Sequence, residues 1–294
     1  MHKRYQLYAL RMNADVRELR CFVAIIDEGS FTDAAIELGM SQAAVSRNLA
    51  SLESGLGARL VRRTTRSVEL TSAGERALPH ARRVLAALDD LERDVQHGRG
   101  AIHFGYAWSA LGRHTVEFQR RWATANPDTE LELVRINTST AGLSDGSTQF
   151  ALLRKPVVAA GVELVLIGVE RRFCAMATDD PLSKRRSVTL AEIAGHTIAI
   201  DLKTGTTSTD LWPEAERPAS ILHITDVDDW LTTIAAGRAV GISSEATAHQ
   251  YRRPGVSYRL LRDAPPIPVY LAWSRSDPPP ERTAVLDLLA DLYR

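Results

Sequence analysis

Ser30-Phe31-Thr32-Asp33-Ala34-Ala35-Ile36-Glu37-Leu38-Gly39-Met40-Ser41-Gln42-Ala43-Ala44-Val45-Ser46-Arg47-Asn48-Leu49-Ala50-Ser51-Leu52-Glu53 is the stretch that decides the fold. Ser30 and Asp33 have the spacing of a capping box, which opens a helix with Phe31, Ala34, Ala35 and Leu38 as its buried stripe. Gly39 can take the left-handed conformation that ends a helix, and Ser41 can cap the next one with Met40 alone between them. Two helices joined by so short a turn must cross steeply. In the second of them Val45, Leu49 and Leu52 point to the core, which turns Gln42, Ala43, Ser46, Arg47 and Ala50 outward. An ordinary solvated face would carry long Lys and Glu side chains; this one is small, polar and singly charged. It is suited to a major groove, where Gln and Arg can bond base edges while Ala and Ser allow close approach.

Upstream, Val16, Leu19, Phe22, Val23 and Ile26 share one helical face that Glu28-Gly29 closes. Downstream, Arg62 to Leu70 reads as a short hairpin with Val68 and Leu70 alternating inward and Arg66 at its tip. Arg47, Arg59, Arg62, Arg63 and Arg66 face Glu53 as the one acidic residue of that stretch, the footprint of a phosphate-binding surface. A merely solvated hairpin is the competing reading.

Three blocks carry a family resemblance: Ser30 to Ala35, Ser41 to Arg47 with Leu52-Glu53, and Leu56-Gly57-Ala58-Arg59-Leu60-Val61-Arg62-Arg63 with Leu70-Thr71-Ser72-Ala73-Gly74. Together they resemble the helix-turn-helix, wing and linker-helix start of the LysR-type transcriptional regulators. Ala43 stands where that family commonly has Pro or Ser, and Val61 where it commonly has Phe. The candidate DNA-contacting residues are Ser30, Thr32, Ser41, Gln42, Ala43, Ser46, Arg47, Arg62, Arg63 and Arg66. The residues ahead of Asp15 exceed the usual family start; Met12 as initiator and a basic arm touching DNA both stay open.

From Ser72 onward Ala81, Val84, Leu88, Leu91 and Val95 recur at alternating steps of three and four, the seam of a two-stranded coiled coil, with Pro79 expected to bend the helix early. The resemblance implies a homodimer through this helix and often a tetramer. After Gly98-Arg99-Gly100 short apolar strands alternate with amphipathic helices. Strands are expected over 101–107, 130–136, 148–153, 172–177, 197–201, 221–225, 239–242 and 269–274, with helices over 109–125 and 227–236.

The expected fold is therefore multidomain: an all-α winged helix-turn-helix domain over 15–71, a long linker helix over 72–97, and an α/β effector domain over 101–294. The resemblance implies that this last domain is periplasmic-binding-protein-like. Its first subdomain spans about 101–168 plus the late strands and C-terminal helix, and its second about 169–265. Ligands of open α/β sheets bind beyond the carboxyl ends of strands, where helix N-termini supply donors. Ser109, then Asn137, Thr138 and Ser139, then Thr204, Gly205, Thr206 and Thr207 occupy such positions and read as hydroxyl-rich helix starts around one cleft. They would suit a small anionic effector, although each taken singly is more often an ordinary N-cap. Asp226 could accept from the effector or cap the following helix. Trp108 and Trp230 are candidates for the same cleft, but tryptophans beside a helix are more often core.

Composition limits the alternatives. The 294 residues exceed one small core, and 45% hydrophobic with 24% charged residues is the balance of an ordinary globular chain. The 36 basic and 36 acidic residues cancel, so any basic surface is local. Neither a membrane-length apolar run nor a secretory h-region is present, and a cytoplasmic location is expected. Cys21 and Cys174 lie far apart in apolar patterns and read as buried free thiols; the eight histidines show no metal spacing, and no cofactor is expected. An enzyme with an appended DNA-binding domain is weakly supported, because Ser109 and His114 lack an orienting acid. A structural DNA-bridging protein leaves the second half unexplained. A thiol sensor would need Cys174 activated by Arg171 and Arg172.

Overall fold

The computed structural model describes residues 14–63, 68–97, 100–157 and 161–294. The chain divides into two compact units, which part between His97 and Gly100, with Ser144–Ser147 counted in the first.

The first unit opens with α1 (Val16–Asp27), where Asp15 and Glu18 form a complete capping box. The next helix, α2 (Phe31–Glu37), starts as the sequence predicts, with a variation at its cap. The Ser30 hydroxyl accepts from the Asp33 N–H at 3.0 Å, but the Asp33 carboxylate takes the Ser30 O–H at 2.6 Å. Gly39 has φ +61°, the left-handed value the tight turn requires, and Ser41 accepts from the Ala44 N–H to start α3 (Gln42–Leu56). Strands β1 (Val61–Arg63) and β2 (Val68–Leu70) pair antiparallel, Val61 opposite Leu70. Helix α4 (Ser72–His97) follows, with Pro79 inside it. Its start explains Leu70-Thr71-Ser72-Ala73-Gly74: the Thr71 hydroxyl donates to the Arg59 carbonyl and accepts from the Gly74 N–H. A Cβ on Gly74 would collide with the Leu60 carbonyl, so the helix can approach the hairpin this closely only with glycine there.

The core of this unit gathers Cys21, Phe22, Ile25, Phe31, Ala34, Ala35, Val45, Leu49, Leu52, Leu60 and Val61. Ala81 belongs to it as well, at 4% exposure. That corrects its assignment to an intermolecular seam, because an alanine packed in its own domain's core has no surface to offer a second helix. Arg82 of α4 bonds Asp27 of α1. Val84, Leu91 and Val95 farther along are exposed, and Leu88 is half-buried.

The second unit holds two sheets. The five-stranded sheet runs β4 (Thr129–Arg135), β3 (Gly100–Tyr106), β5 (Phe150–Leu153), β13 (Ile267–Ser274), β6 (Val162–Glu170). The first three are parallel, and β13 is antiparallel to both its neighbours. Its core takes Phe118 and Trp122 from α5 (Thr115–Ala125) and Val285 and Leu289 from α9 (Arg282–Leu292). The six-stranded sheet runs β10 (Ile221–Ile224), β9 (Ile198–Asp201), β11 (Val240–Ser244), β7 (Arg172–Ala177), β12 (Val256–Leu261), β8 (Ser187–Val188). The short helix α6 (Leu190–Ile193) contributes to one of its cores; Trp230, Leu231 and Ile234 of α7 (Val227–Ala235) form another, and α8 (Glu245–Gln250) follows β11 directly.

Two expectations fail here for tertiary reasons. The helix expected from Ser109 begins at Thr115, after a 3-10 turn over Gly112–His114. Residues 107–111 cannot coil because Arg154 takes the Ser109 and Ala110 carbonyls, at 2.6 and 2.5 Å, and Gln250 takes the Ala110 N–H. The segments after β4 and β9 also fail to start α-helices. Ala141 adopts φ +48° in the first. In the second, the Asp201 carboxylate accepts from the Lys203 and Thr204 N–H groups, closing a loop that leads to a 3-10 turn at Thr209–Leu211.

Candidate DNA-reading face and effector cleft

On α3 the outward set is as the periodicity requires: Gln42, Ala43, Arg47 and Ala50 are exposed and Ser46 is partly buried, while Val45, Leu49 and Leu52 are buried. Ser30 and Ser41 spend their hydroxyls on capping, so their part in this face is to aim helices. Thr32 is exposed in the first turn of α2. Arg62 is exposed on β1, with Glu69 at 3.9 Å across the hairpin as a loose partner. Arg63 lies in β1 with its side chain outside the described residues, as is the whole of Arg66.

The sequence reading missed how α3 and the hairpin are joined. Glu53, on the inner side of α3, is 6% exposed. It accepts from the Leu60 N–H at 2.7 Å, the Val61 N–H at 3.2 Å and the Arg59 guanidinium at 3.0 Å. Arg59 is therefore partly committed to Glu53, and the open cations of the described face are Arg47 and Arg62.

In the second unit a cavity of about 70 Å³ lies among loops of both sheets. Ser109, Thr138, Ser139, Thr204, Gly205, Thr206 and Thr207 all line it. Trp108 and Trp230 line it too, their rings meeting edge to face at 5.5 Å.

Asn137 and Asp226 are not among the lining residues. Asn137 donates to the Thr225 carbonyl at 2.7 Å and accepts from the Thr204 hydroxyl at 2.9 Å, tying one lobe to the other. Asp226 caps α7 through the Asp228 N–H and pairs with Arg135 at 3.5 Å, so the capping alternative is the one that holds.

The hydroxyls expected to contact an effector are largely engaged within the protein. Ser109 is buried with its hydroxyl 3.1 Å from that of Thr247; Thr207 donates to the Ile242 carbonyl; Thr204 is shared between Asp201 and Asn137. The unengaged donors are ones the sequence reading passed over. Lys155 and Lys203 line the cavity and are exposed, with no carboxylate paired to either among the described residues. The Trp108 indole N–H is buried without an acceptor.

The cavity wall also includes Arg154, whose guanidinium holds Glu170 through two bonds of 2.9 Å. Glu170 further accepts from the Tyr293 hydroxyl at 3.1 Å and the Ala246 N–H at 3.4 Å. Burial alone would raise the Glu170 carboxyl, but the Arg154 charge and hydrogen bonds outweigh it and hold the group below its ordinary range. At Cys174 burial pushes the thiol up, the opposite of what a reactive thiolate needs.

A winged helix-turn-helix joined to a two-lobed α/β unit with a polar cleft is the architecture of a DNA-binding regulator that carries its own ligand-sensing module. Residues 16–75 match the family model described as bacterial regulatory helix-turn-helix protein, lysR family, and residues 96–294 match that of the LysR substrate binding domain. The chain belongs to the LysR family of transcriptional regulators.

It is 29% identical over 304 residues to the regulator ShiR of Corynebacterium glutamicum, covering 95% of this chain and 99% of that one. It is 36% identical over 194 residues to YnfL of Escherichia coli, an uncharacterized HTH-type transcriptional regulator. That match spans 62% of this chain and 64% of YnfL. The fold resembles the crystal structure of the LysR family regulator CbnR, with a TM-score of 0.70 at 23% identity over 95% of this chain and 99% of CbnR. Among the described residues no helix is long and apolar enough to cross a membrane.

Proposed function

We propose that this regulator acts in the cytoplasm as a homodimer, able to pair further into a tetramer. It reads its operator with Gln42, Ala43, Ser46 and Arg47, grips the backbone with Thr32, Arg62, Arg63 and Arg66, and answers to a small anion held in the cleft. The organisation 15–71, 72–97 and 101–294 assigns these tasks to the winged domain, the linker helix and the effector domain. Val84, Leu88, Leu91 and Val95 form the self-pairing stripe, three of the four being exposed along the helix. The action is binding, not turnover: the Ser109 hydroxyl is held by another hydroxyl, that of Thr247, and so has no base to activate it.

The observation that carries the effector reading is the pair of lysines without carboxylate partners, Lys155 and Lys203, lining the same cavity as the unpaired Trp108 N–H. Buried donors without acceptors are costly, and an anionic ligand relieves that cost while meeting both ammonium groups. A cavity of about 70 Å³ admits a few water molecules' worth of ligand, which favours a compact carboxylate. Ser109, Asn137, Thr138, Ser139, Thr204, Gly205, Thr206 and Thr207 shape and brace the site, and Asp226 fixes α7 beside it. Differential affinity for one arrangement of the assembly then changes how the two α3 helices are presented to DNA.

The test is a titration of the full chain with a panel of small mono- and dicarboxylates, read by tryptophan fluorescence. A carboxylate that shifts the emission, with its affinity lowered about tenfold or more in Lys155→Ala/Lys203→Ala, supports the assignment. A ligand whose affinity is unchanged in that variant overturns it.

A further inference from the structure

Away from the cleft, β7, β12, α8 and the loop after it border an open groove of about 590 Å³. Its wall carries Arg252, Arg253 and Arg259 beside the rings of Phe173 and Tyr258, with Glu245 as the carboxylate among its described lining residues. Glu245 is already neutralised: Arg171 bonds it at 2.8 and 3.2 Å and Arg113 lies 3.7 Å away. The three groove arginines have no carboxylate partner among the described residues, and the bonds of Arg253 and Arg259 go to backbone carbonyls. Arg253 donates to that of Asp228 at 3.2 Å and Arg259 to that of Tyr258 at 2.7 Å. The Arg259 Nε–H is moreover buried with no acceptor.

Elsewhere in this unit Arg121 is paired with Asp291, Arg154 with Glu170 and Arg275 with Glu163, whereas Arg172 bonds only the Pro265 and Thr206 carbonyls. Three unneutralised guanidinium groups on one groove attract a ligand with more than one negative charge, and the planar fork of Arg fits phosphate oxygens two at a time. A phosphomonoester brings a charge of about −1.5 to −2 at neutral pH and three acceptor oxygens. The groove also lies within the usual range of about 300–1,000 Å³ for small-molecule sites. Tyr258, fixed by its hydroxyl bond to the Tyr251 carbonyl at 2.9 Å, offers ring surface for a planar substituent, while the Arg171 guanidinium already lies over the Phe173 ring, 5.7 Å from its centroid.

We infer that this groove is a second ligand site, independent of the cleft, that binds a phosphomonoester carried on a planar group. The phosphate takes the open guanidinium edges of the three arginines, and the planar group lies against the Tyr258 ring. Such a site would let the regulator read a phosphorylated metabolite in addition to its cleft effector.

The probes are phenyl phosphate, inorganic phosphate and benzoate, titrated calorimetrically into the full chain at constant ionic strength. Phenyl phosphate should bind more tightly than inorganic phosphate, and benzoate should not compete. Arg252→Ala, an exposed position, should weaken phenyl phosphate about tenfold, one charge-assisted contact's worth. Arg259→Lys, which keeps the charge and loses the fork, should do the same, while Lys155→Ala/Lys203→Ala leaves the affinity unchanged. Absence of binding by either phosphate, or undiminished binding in both arginine variants, overturns the inference. So does an Arg252→Ala effect confined to assembly mass, which makes the groove a contact between copies, or one confined to the salt dependence of duplex binding, which makes it a DNA-backbone contact.

Discussion

Replacing Glu53 by Ala should unfold the DNA-reading unit selectively. The carboxylate accepts from the Leu60 and Val61 N–H groups, and those two residues are 2% and 7% exposed, so water cannot replace it without opening the core. Each buried N–H left unsatisfied costs about 1–3 kcal/mol, so the pair loses roughly 2–6 kcal/mol. The bond to Arg59, which is 82% exposed, adds little. Against a typical domain stability of about 5–15 kcal/mol, that is enough to leave the unit largely unfolded on mild denaturation. Glu53→Gln keeps one acceptor oxygen and should lose only about 1 kcal/mol, the charge-assisted part. The two units can be followed separately in the intact chain, because all five tryptophans, Trp108, Trp122, Trp212, Trp230 and Trp273, lie in the second. In urea, far-UV circular dichroism should show a helical transition moved to lower denaturant in Glu53→Ala, with the fluorescence transition unmoved, and duplex affinity should fall with the folded fraction. A helical midpoint within about 0.5 kcal/mol of wild type, the range of an ordinary surface change, refutes the reasoning; equal movement of both transitions refutes its locality.

Arg47→Ala should lower affinity for the operator by about 1–3 kcal/mol and relax base preference; equal loss on scrambled DNA in the same titration would make it a backbone contact. Arg62→Ala should instead weaken all duplexes alike and reduce the slope of log affinity against log salt by about one, and an unchanged slope contradicts the phosphate assignment. Leu91→Lys places a charge in the stripe facing its own copy and should lower the light-scattering mass toward the monomer, whereas a wild-type mass removes Leu91 from the interface. Glu170 has a native carboxyl held below its unfolded value, so its contribution is complete above about pH 4.3 and is lost as pH falls through the lower native value. The difference in Tm between wild type and Glu170→Gln, read by tryptophan fluorescence, should be largest near neutral pH and shrink toward about pH 3; a constant difference contradicts the linkage.

What the sequence made legible depended on whether local chemistry or distant partners set each segment. In α1 to α3 the caps, the left-handed Gly39 and the apolar stripe all act within a few residues, so positions and facing were readable directly. Strand β7 was readable to its ends, from Arg172 to Ala177. Strand β6 was not, because Val162, Leu164 and Leu166 alternate with Val165, Ile167 and Val169, making both faces apolar and erasing the two-residue period. Residues 109–114 carry a helical pattern yet lose it to Arg154 and Gln250, both distant in sequence.

The cleft repeats that distinction in its chemistry. A hydroxyl next to a strand end is visible in sequence, but whether it is available to a ligand depends on what it bonds, and Ser109, Thr204 and Thr207 turn inward to Thr247, Asp201 and Ile242. Lys155 and Lys203 show the converse, since in sequence they resemble any solvated loop lysine and their meaning comes from lining one cavity with neither ammonium ion-paired among the described residues, the Asp201 carboxylate on the same wall being taken by the Lys203 and Thr204 N–H groups and the Thr204 hydroxyl. The hydroxyl positions therefore locate the cleft, while the groups left unpaired by the fold determine what it can hold, so ligand chemistry is best sought in Lys155→Ala/Lys203→Ala before any threonine is changed.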